Sequence, residues 1–376
     1  MNILALHSSS DLYGSSKVFL EAIQTFLEEG NNVTAVLSEE GALSEELCKS
    51  GADVEIIRLG IIRRKYFSFF GILNRLYYLS KSFFALKKII RSKQTDLVYS
   101  NTTAVLIGAF AAKATHKKHI WHIHEIIERP LFLHRFIAWM ISKYCCKVIA
   151  VSNAVKEHWQ QKDTNEKIIV LYNGFDYSVF YQDQSTLRQE LKIEDDCIVI
   201  GTVGRISEWK GQDYFLRIAG EIKRKIYNVK FIIAGDVFPG NEYLIDSFNK
   251  IIEEEKIEDK VFLLGFRNDV NNVLHGMDIF VLPSVLPDPL PTVVLEAMAA
   301  GKPVVATFQG GSLEMVEENQ TGIFIPVNDW QKAANLMEEL ISNSTIRKQM
   351  GAAGRKRVEE KFSQERFKKE LIKIFA

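Results

Sequence analysis

The chain has no excess of charge of either sign: its 376 residues hold 47 Lys and Arg against 47 Asp and Glu. That balance argues against a general nucleic-acid binder and leaves any electrostatic function to local asymmetry. Cysteine is scarce. Cys48, Cys145, Cys146 and Cys197 show no metal-ligand spacing, and the adjacent Cys145 and Cys146 cannot easily bridge each other. A reduced, cytoplasmic compartment is the expectation. No uncharged apolar run reaches the roughly 18–20 residues that span a bilayer. The apolar start of MNILALHSSSDL is too short for a signal peptide, so a place in the cytosol or on a membrane surface is expected. No Asp-x-Asp, internal repeat or low-complexity segment occurs. Acid is missing locally too: Ile56 to Thr95 contains ten Lys or Arg and no Asp or Glu.

What is present reads as α/β. At this length two domains are favoured over one core. In the second half, β-rich apolar runs at 197–205, 229–236, 261–266, 278–284, 303–308 and 321–326 alternate with segments of helical period such as 213–226 and 242–257. Runs that are apolar throughout and separated by helices predict a parallel sheet covered on both faces. The first half repeats this grammar at 2–8, 32–38, 52–59, 95–101, 119–124, 147–152 and 167–173. Two Rossmann-like domains are expected, with the polar stretch 176–196 as linker. Ligands in such folds lie beyond the carboxyl ends of strands, where Ser8 to Gly14, His124, Ser152, Asn173, Arg205, Asp236, Phe266 and Ser284 fall.

Two stretches could carry chemistry. In TVGRISEWKG (202–211), Arg205 ends a strand and Lys210 opens the next helix, so the pair can converge on one anion. A diphosphate suits it, with a guanidinium fork and an ammonium point charge; a solvated surface pair is the bland alternative. In PSVLPDPLPTVVLEAMAAG (283–301), three prolines precede a small-residue helix that begins at Pro291 or Thr292 and ends at Gly301. Glu296 on that helix has Thr292, Val293, Ala299 and Ala300 as its neighbours. A carboxylate among small apolar groups needs donors, and a ribose 2′,3′-diol or an internal cation would supply them. Asp288 can serve a ligand, or it can cap the helix as an Asp-Pro N-cap.

Together VGRISEWKG, AGD, LLGF and PS-x3-D-x7-EAMAAGKPVVA resemble the nucleotide-sugar half of glycosyltransferase family 4, a group of GT-B fold. The resemblance covers 147–376 well and 1–146 loosely. It implies two facing Rossmann-like domains with an interdomain cleft: 1–176 on the acceptor side, 190–358 for the donor, and a terminal helix, 359–376, crossing back to the first. It implies a retaining transfer of sugar from a nucleotide diphosphate sugar to an acceptor hydroxyl, on a lipid-linked or cell-surface polysaccharide precursor. Arg205 and Lys210 would bind the diphosphate and stabilise it as it leaves, in place of a divalent ion, so no metal and no other cofactor is expected. Glu296 would hold the ribose and Asp288, where the family usually has Glu, would lie near the transferred sugar. Leu290, Pro291 and Thr292 would approach sugar and phosphate, with Phe266 and the loop at Gly14 also on the donor. The N-terminal half departs from the family: Ser15 replaces a second glycine, and Lys17 stands where an acid is common. His124-Glu125 resembles the family's His-Asp at a strand end. His122 and His124 share one side of that strand, and His124, nearer its carboxyl end, is the expected active-site residue.

The basic stretch 56–95 interleaves its cations with Tyr66, Phe67, Phe69, Phe70, Tyr77, Tyr78, Phe83 and Phe84. Such a pattern reads as a surface for anionic membrane; aromatics facing the core with snorkelling cations are the alternative. No nucleic-acid module accompanies it. Two other functions fit the architecture: a sugar-nucleotide epimerase, or a non-catalytic membrane scaffold.

Overall fold

The computed structural model describes residues 1–61, 68–226 and 228–375. The chain divides into two compact units, Met1–Phe175 with Gln364–Ala376, and Asp176–Ser363.

The first unit is built on seven parallel strands: β1 (Asn2–Leu6), β2 (Asn32–Leu37), β3 (Asp53–Ile56), β4 (Leu97–Asn101), β5 (Lys118–Ile123), β6 (Lys147–Ala150) and β7 (Ile168–Val170). Their order is β3-β2-β1-β4-β5-β6-β7. Pleating sends alternate residues to opposite faces, and both faces are dry. Ile3 and Ala5 of β1 join a core beneath the helix Ser15–Glu28. Leu4 and Leu6 join a second core with Leu86 and Ile90 of the helix Phe69–Ser92 and with Ile107 and Ala111. The last helix, Gln364–Phe375, presents Phe367, Leu371 and Ile374 at helical spacing to the first of these cores. Lys368 ties it to Glu28 at 2.8 Å.

The second unit has six parallel strands: β8 (Ile198–Val203), β9 (Val229–Ala234), β10 (Val261–Gly265), β11 (Ile279–Leu282), β12 (Val304–Thr307) and β13 (Gly322–Ile325). Their order is β10-β9-β8-β11-β12-β13. One large core joins Phe215 and Ile218 of the helix Gln212–Lys225 to Phe231, Val281 and Met337. The stretch 176–196 is part of this unit. It packs instead of hanging free: Leu187 is fully buried, and a Cβ on Gly276 would lie 2.7 Å from its side chain. The Thr186 amide and Ser185 hydroxyl bond to Asn272 at 2.8 Å and 3.0 Å. Polarity suggested a linker; one leucine and a few hydrogen bonds made a docked segment.

Candidate active site

In the second sheet, strand order reverses between β8 and β11. At such a point the connections leave in opposite directions and open a crevice at the strands' carboxyl ends. Arg205 and Lys210 follow β8, and Pro283 to Thr292 follow β11. The two loops are laced together. The Val285 and Leu286 amides donate to the Trp209 carbonyl at 2.9 Å and 3.4 Å. Gly211 has φ 69°, and a Cβ there would sit 2.1 Å from the Pro283 carbonyl oxygen, so only glycine fits.

Lys210 Nζ meets Asp288 Oδ2 at 2.5 Å, and both side chains are largely buried. The ammonium also lies 4.4 Å from the Trp209 ring centre. This corrects the capping alternative for Asp288. The helix begins only at Thr292, behind Pro291, which offers no side-chain cap, and Lys210 holds the carboxylate elsewhere. A glycine pair supports the loop from below. The Gly311 amide donates to the Asp288 carbonyl at 2.7 Å. A Cβ on Gly310 would lie 2.5 Å from that oxygen, and one on Gly311 2.1 Å from the Pro289 carbonyl oxygen. Thr307 Oγ1 and Gln309 Nε2 both donate to the Ser284 carbonyl at 2.6 Å.

Arg205 is exposed, its guanidinium 3.8 Å from the Phe238 ring centre. Phe266, beyond β10, is 59% exposed. Leu290 and Pro291 are buried; Thr292 and Glu296 are half-buried. Burial holds the Tyr177 phenol well above its usual range, with the charge of Glu296 acting the same way. Tyr177 therefore stands near Glu296, a neighbour that no motif announced. Trp209, Phe238 and the Gly310–Gly311 pair were missed in the same way, although a Gly-Gly dipeptide just past a strand is a signal for close backbone approach.

The first sheet reverses order between β1 and β4. A chain of hydrogen bonds gathers there. Ser16 Oγ donates to Asp11 at 2.9 Å and lies 2.9 Å from His7 Nε2. Asn101 Nδ2 donates to His7 Nδ1 at 2.9 Å, and Asn101 Oδ1 faces His124 Nε2 at 2.7 Å. An amide oxygen only accepts, so His124 carries its proton on Nε2. His122 is fully buried, with Nδ1 2.7 Å from the Tyr99 hydroxyl. The rings of His122 and His124 lie 4.4 Å apart, on one side as alternation requires. Burial pushes His122 down to about 3, and His124 well below its ordinary value. Glu125 turns inward to accept the Thr103 and His124 amides at 3.0 Å and 3.1 Å. Gly14, with φ 39° and open space around it, precedes the helix Ser15–Glu28. Asn101 and His7 were not singled out in the sequence, because nothing local marks them as partners.

Within the basic stretch, Arg63, Arg64, Lys65, Tyr66 and Phe67 lie outside the described residues. The helix Phe69–Ser92 buries Ser82, Leu86 and Ile90 in its C-terminal half. Its N-terminal half does the opposite: Phe69, Phe70, Ile72, Leu73, Leu76 and Tyr77 are exposed. The aromatics of that half do not face the core. A second helix, Leu131–Tyr144, also exposes Leu131, Phe132, Phe136 and Trp139. No described helix is long and apolar enough to cross a membrane. Among the described residues no group of three His, Cys, Asp or Glu could hold a metal ion.

Two doubly wound parallel sheets with loops gathered at their switch points are the architecture of the GT-B fold, and comparison with known proteins supplies the activity. Residues 13–179 match the family model described as Glycosyltransferase Family 4, and 183–357 the one described as Glycosyl transferases group 1. The chain belongs to the family 4-like glycosyltransferases. It is 30% identical over 239 residues to an uncharacterized glycosyltransferase of Methanocaldococcus jannaschii, a match covering 61% of this chain and 60% of that relative. To the capsular polysaccharide biosynthesis glycosyltransferase CapM of Staphylococcus aureus it is 28% identical, over 78% of this chain and 80% of CapM. Anabaena HepE, solved in complex with UDP-glucose, superposes with a TM-score of 0.84 at 24% identity, covering 100% of this chain and 99% of HepE.

Proposed function

We propose that this glycosyltransferase moves a sugar, with retention at the anomeric carbon, from a nucleotide diphosphate sugar to an acceptor hydroxyl on a lipid-linked or cell-surface polysaccharide precursor. What supports the reading is the switch point of the second sheet, where Arg205 and Lys210 follow β8 and the uncapped start of the helix that carries Glu296 follows β11. As the donor's anomeric C–O bond breaks, negative charge grows on the departing diphosphate. Arg205, Lys210 and the free N–H groups behind Pro291 stabilise that charge. These cations take the part of a divalent ion, so the scheme uses no metal. Glu296 accepts both hydroxyls of a ribose diol. Asp288, oriented by Lys210, and the backbone from Leu290 to Thr292 meet the sugar, and Phe266 bounds the base. In the first unit His124 contacts a sugar hydroxyl and the loop at Gly14 offers backbone N–H groups to an anion. CapM acts in capsular polysaccharide biosynthesis, and HepE was solved with UDP-glucose; both support the substrate classes without naming the sugar.

The exposed apolar half of the Phe69 helix, flanked by Arg75, Lys81 and Lys88, suits the interface of an anionic membrane. The reading is of a peripheral protein on the cytoplasmic face, bound through 56–95. Calorimetric titration with UDP and GDP tests the donor site. Loss of binding in both Arg205→Ala and Lys210→Ala is expected, and unchanged affinity in both overturns it. The anomeric configuration of the product, read by NMR, tests retention.

A further inference from the structure

A polar cavity of about 270 Å³ lies in the first unit. It opens where β1, β2 and β3 end. Ser8 follows β1, Ser38 and Glu39 follow β2, and Arg58 and Gly60 follow β3; Arg75 closes it from the helix Phe69–Ser92. The two arginines are organised around one ring. Arg58 donates to the Tyr78 hydroxyl at 2.9 Å. The Arg58 and Arg75 guanidinium carbons lie 5.5 Å and 5.4 Å from the Tyr78 ring centre. Gly60, with φ 67°, presses the strand-end loop onto the helix, since a Cβ there would lie 2.8 Å from the Leu79 amide nitrogen. Loop and helix therefore hold their cations in fixed relation.

Among the described residues Arg58 has no ion-pair partner. Ser38 Oγ is buried without a hydrogen-bond partner. An oriented pair of guanidinium groups recognises a phosphate bidentately, and a buried hydroxyl without a partner is costly unless something fills its place. Glu39 would repel a bare anion but accepts hydroxyl protons. A ligand with both a phosphate and adjoining hydroxyls satisfies all five polar side chains. The cavity has about the size such a group needs, just below the range of whole-ligand pockets, about 300–1,000 Å³.

We propose that this pocket binds the phosphate and neighbouring hydroxyls of a phosphorylated saccharide, the acceptor of the transfer. The assignment rests on the glycosyltransferase reading but not on the donor site, which belongs to the other unit. The phosphate could be that of a soluble sugar phosphate or of a sugar diphosphate carried on a lipid.

Calorimetry on the full chain separates these. The probes are glucose, glucose 1-phosphate and a short-chain prenyl diphosphate sugar, with UDP titrated in parallel. Glucose 1-phosphate should bind at least about tenfold more tightly than glucose. Arg58→Gln and Arg75→Gln should each abolish that preference while UDP affinity stays unchanged. Tyr78→Phe, which keeps the ring and removes only the orienting hydroxyl, should weaken the phosphorylated ligand several-fold. Tighter binding of the prenyl diphosphate sugar, lost in the same variants, places the phosphate on a lipid carrier; equal binding places it on a soluble sugar. Equal affinity for glucose and glucose 1-phosphate, or arginine variants that keep the preference, overturns the proposal. Loss of UDP binding in the wild type would remove the donor reading and leave this one standing.

Discussion

At the switch point of the first sheet stand His122 and His124, which burial keeps neutral, His124 joined through Asn101 to His7 and the Ser16 hydroxyl. At the switch point of the second stand an exposed arginine and a lysine paired with aspartate. The folds are alike, and the furnishing is opposite. Neutral donors and acceptors discriminate hydroxyls, and fixed cations bind phosphates. The same doubly wound sheet serves both, because what a switch point offers is a place, and the loop residues decide its chemistry.

The largest effect should come from breaking the buried pair of Lys210 and Asp288. Lys210→Ala leaves the Asp288 side chain without its partner, and such a loss costs about 3–5 kcal/mol when the pair is buried. Thermal melting should show a fall of several degrees, together with loss of UDP binding. Arg205→Ala should lose affinity with no shift in melting, since its side chain is exposed. Equal melting of the two variants would mean that Lys210 is no more structural than Arg205.

Gly311→Ala should come next. Its Cβ would strike the Pro289 carbonyl at 2.1 Å, so the loop must move. Turnover should drop about tenfold or more, since small displacements of positioning groups are felt strongly in rate. Wild-type turnover in this variant would show that the glycine pair does not position Asp288.

The contrast between the units also has a signature in pH. Between about 6.5 and about 3 the unfolded chain takes up protons that buried His119 and His122 refuse. The unfolded state then binds more protons than the folded one, so stability falls as pH falls through that window. Each histidine contributes up to about 1.4 kcal/mol per pH unit while the difference lasts. Melting recorded from pH 7.5 to 4.5 should decline, and His122→Asn should flatten the slope even if it lowers the starting value. A slope that His122→Asn leaves unchanged would place the proton uptake elsewhere.

A smaller change is expected at Glu296. Glu296→Gln should keep the fold and narrow the preference for UDP over 2′-deoxy-UDP, because an amide cannot accept from both hydroxyls as well as a carboxylate. A large melting loss with intact ribose preference would make Glu296 an internal partner of its own unit. Smallest of all, chelation with EDTA should leave transfer unaffected if the cations bear the leaving-group charge. Replacing Phe69, Phe70 and Leu76 with Ser should release the protein from anionic liposomes at low salt without touching UDP affinity. Wild-type protein that ignores those liposomes would leave that apolar face to another partner.

The strands of both sheets, the helix over 292–299 and the grouping of residues beyond strand ends could all be read along the chain. Each depends on local period, apolar content or turn residues. The acidic pair and the Arg-Lys pair were legible as candidates for the same reason, at short spacing. What could not be read was pairing at a distance. Lys210 finds Asp288 78 residues away, and Asn101 stands between His7 and His124 only because β1, β4 and β5 are neighbours in the sheet.

By itself the sequence determined that the chain makes two parallel α/β sheets, that one helix carries a carboxylate among small residues, and that one long basic stretch lacks acid. These follow from periodicity and composition, which a chain cannot hide. Only the tertiary structure decided that 176–196 docks on the second unit, that Asp288 pairs with Lys210 instead of capping a helix, and that Phe69, Phe70 and Tyr77 face outward. It alone gathered Arg58, Arg75 and Ser38 around one cavity. The reason is physical: burial and hydrogen bonding depend on which strands lie side by side, and strand order is a property of the folded chain.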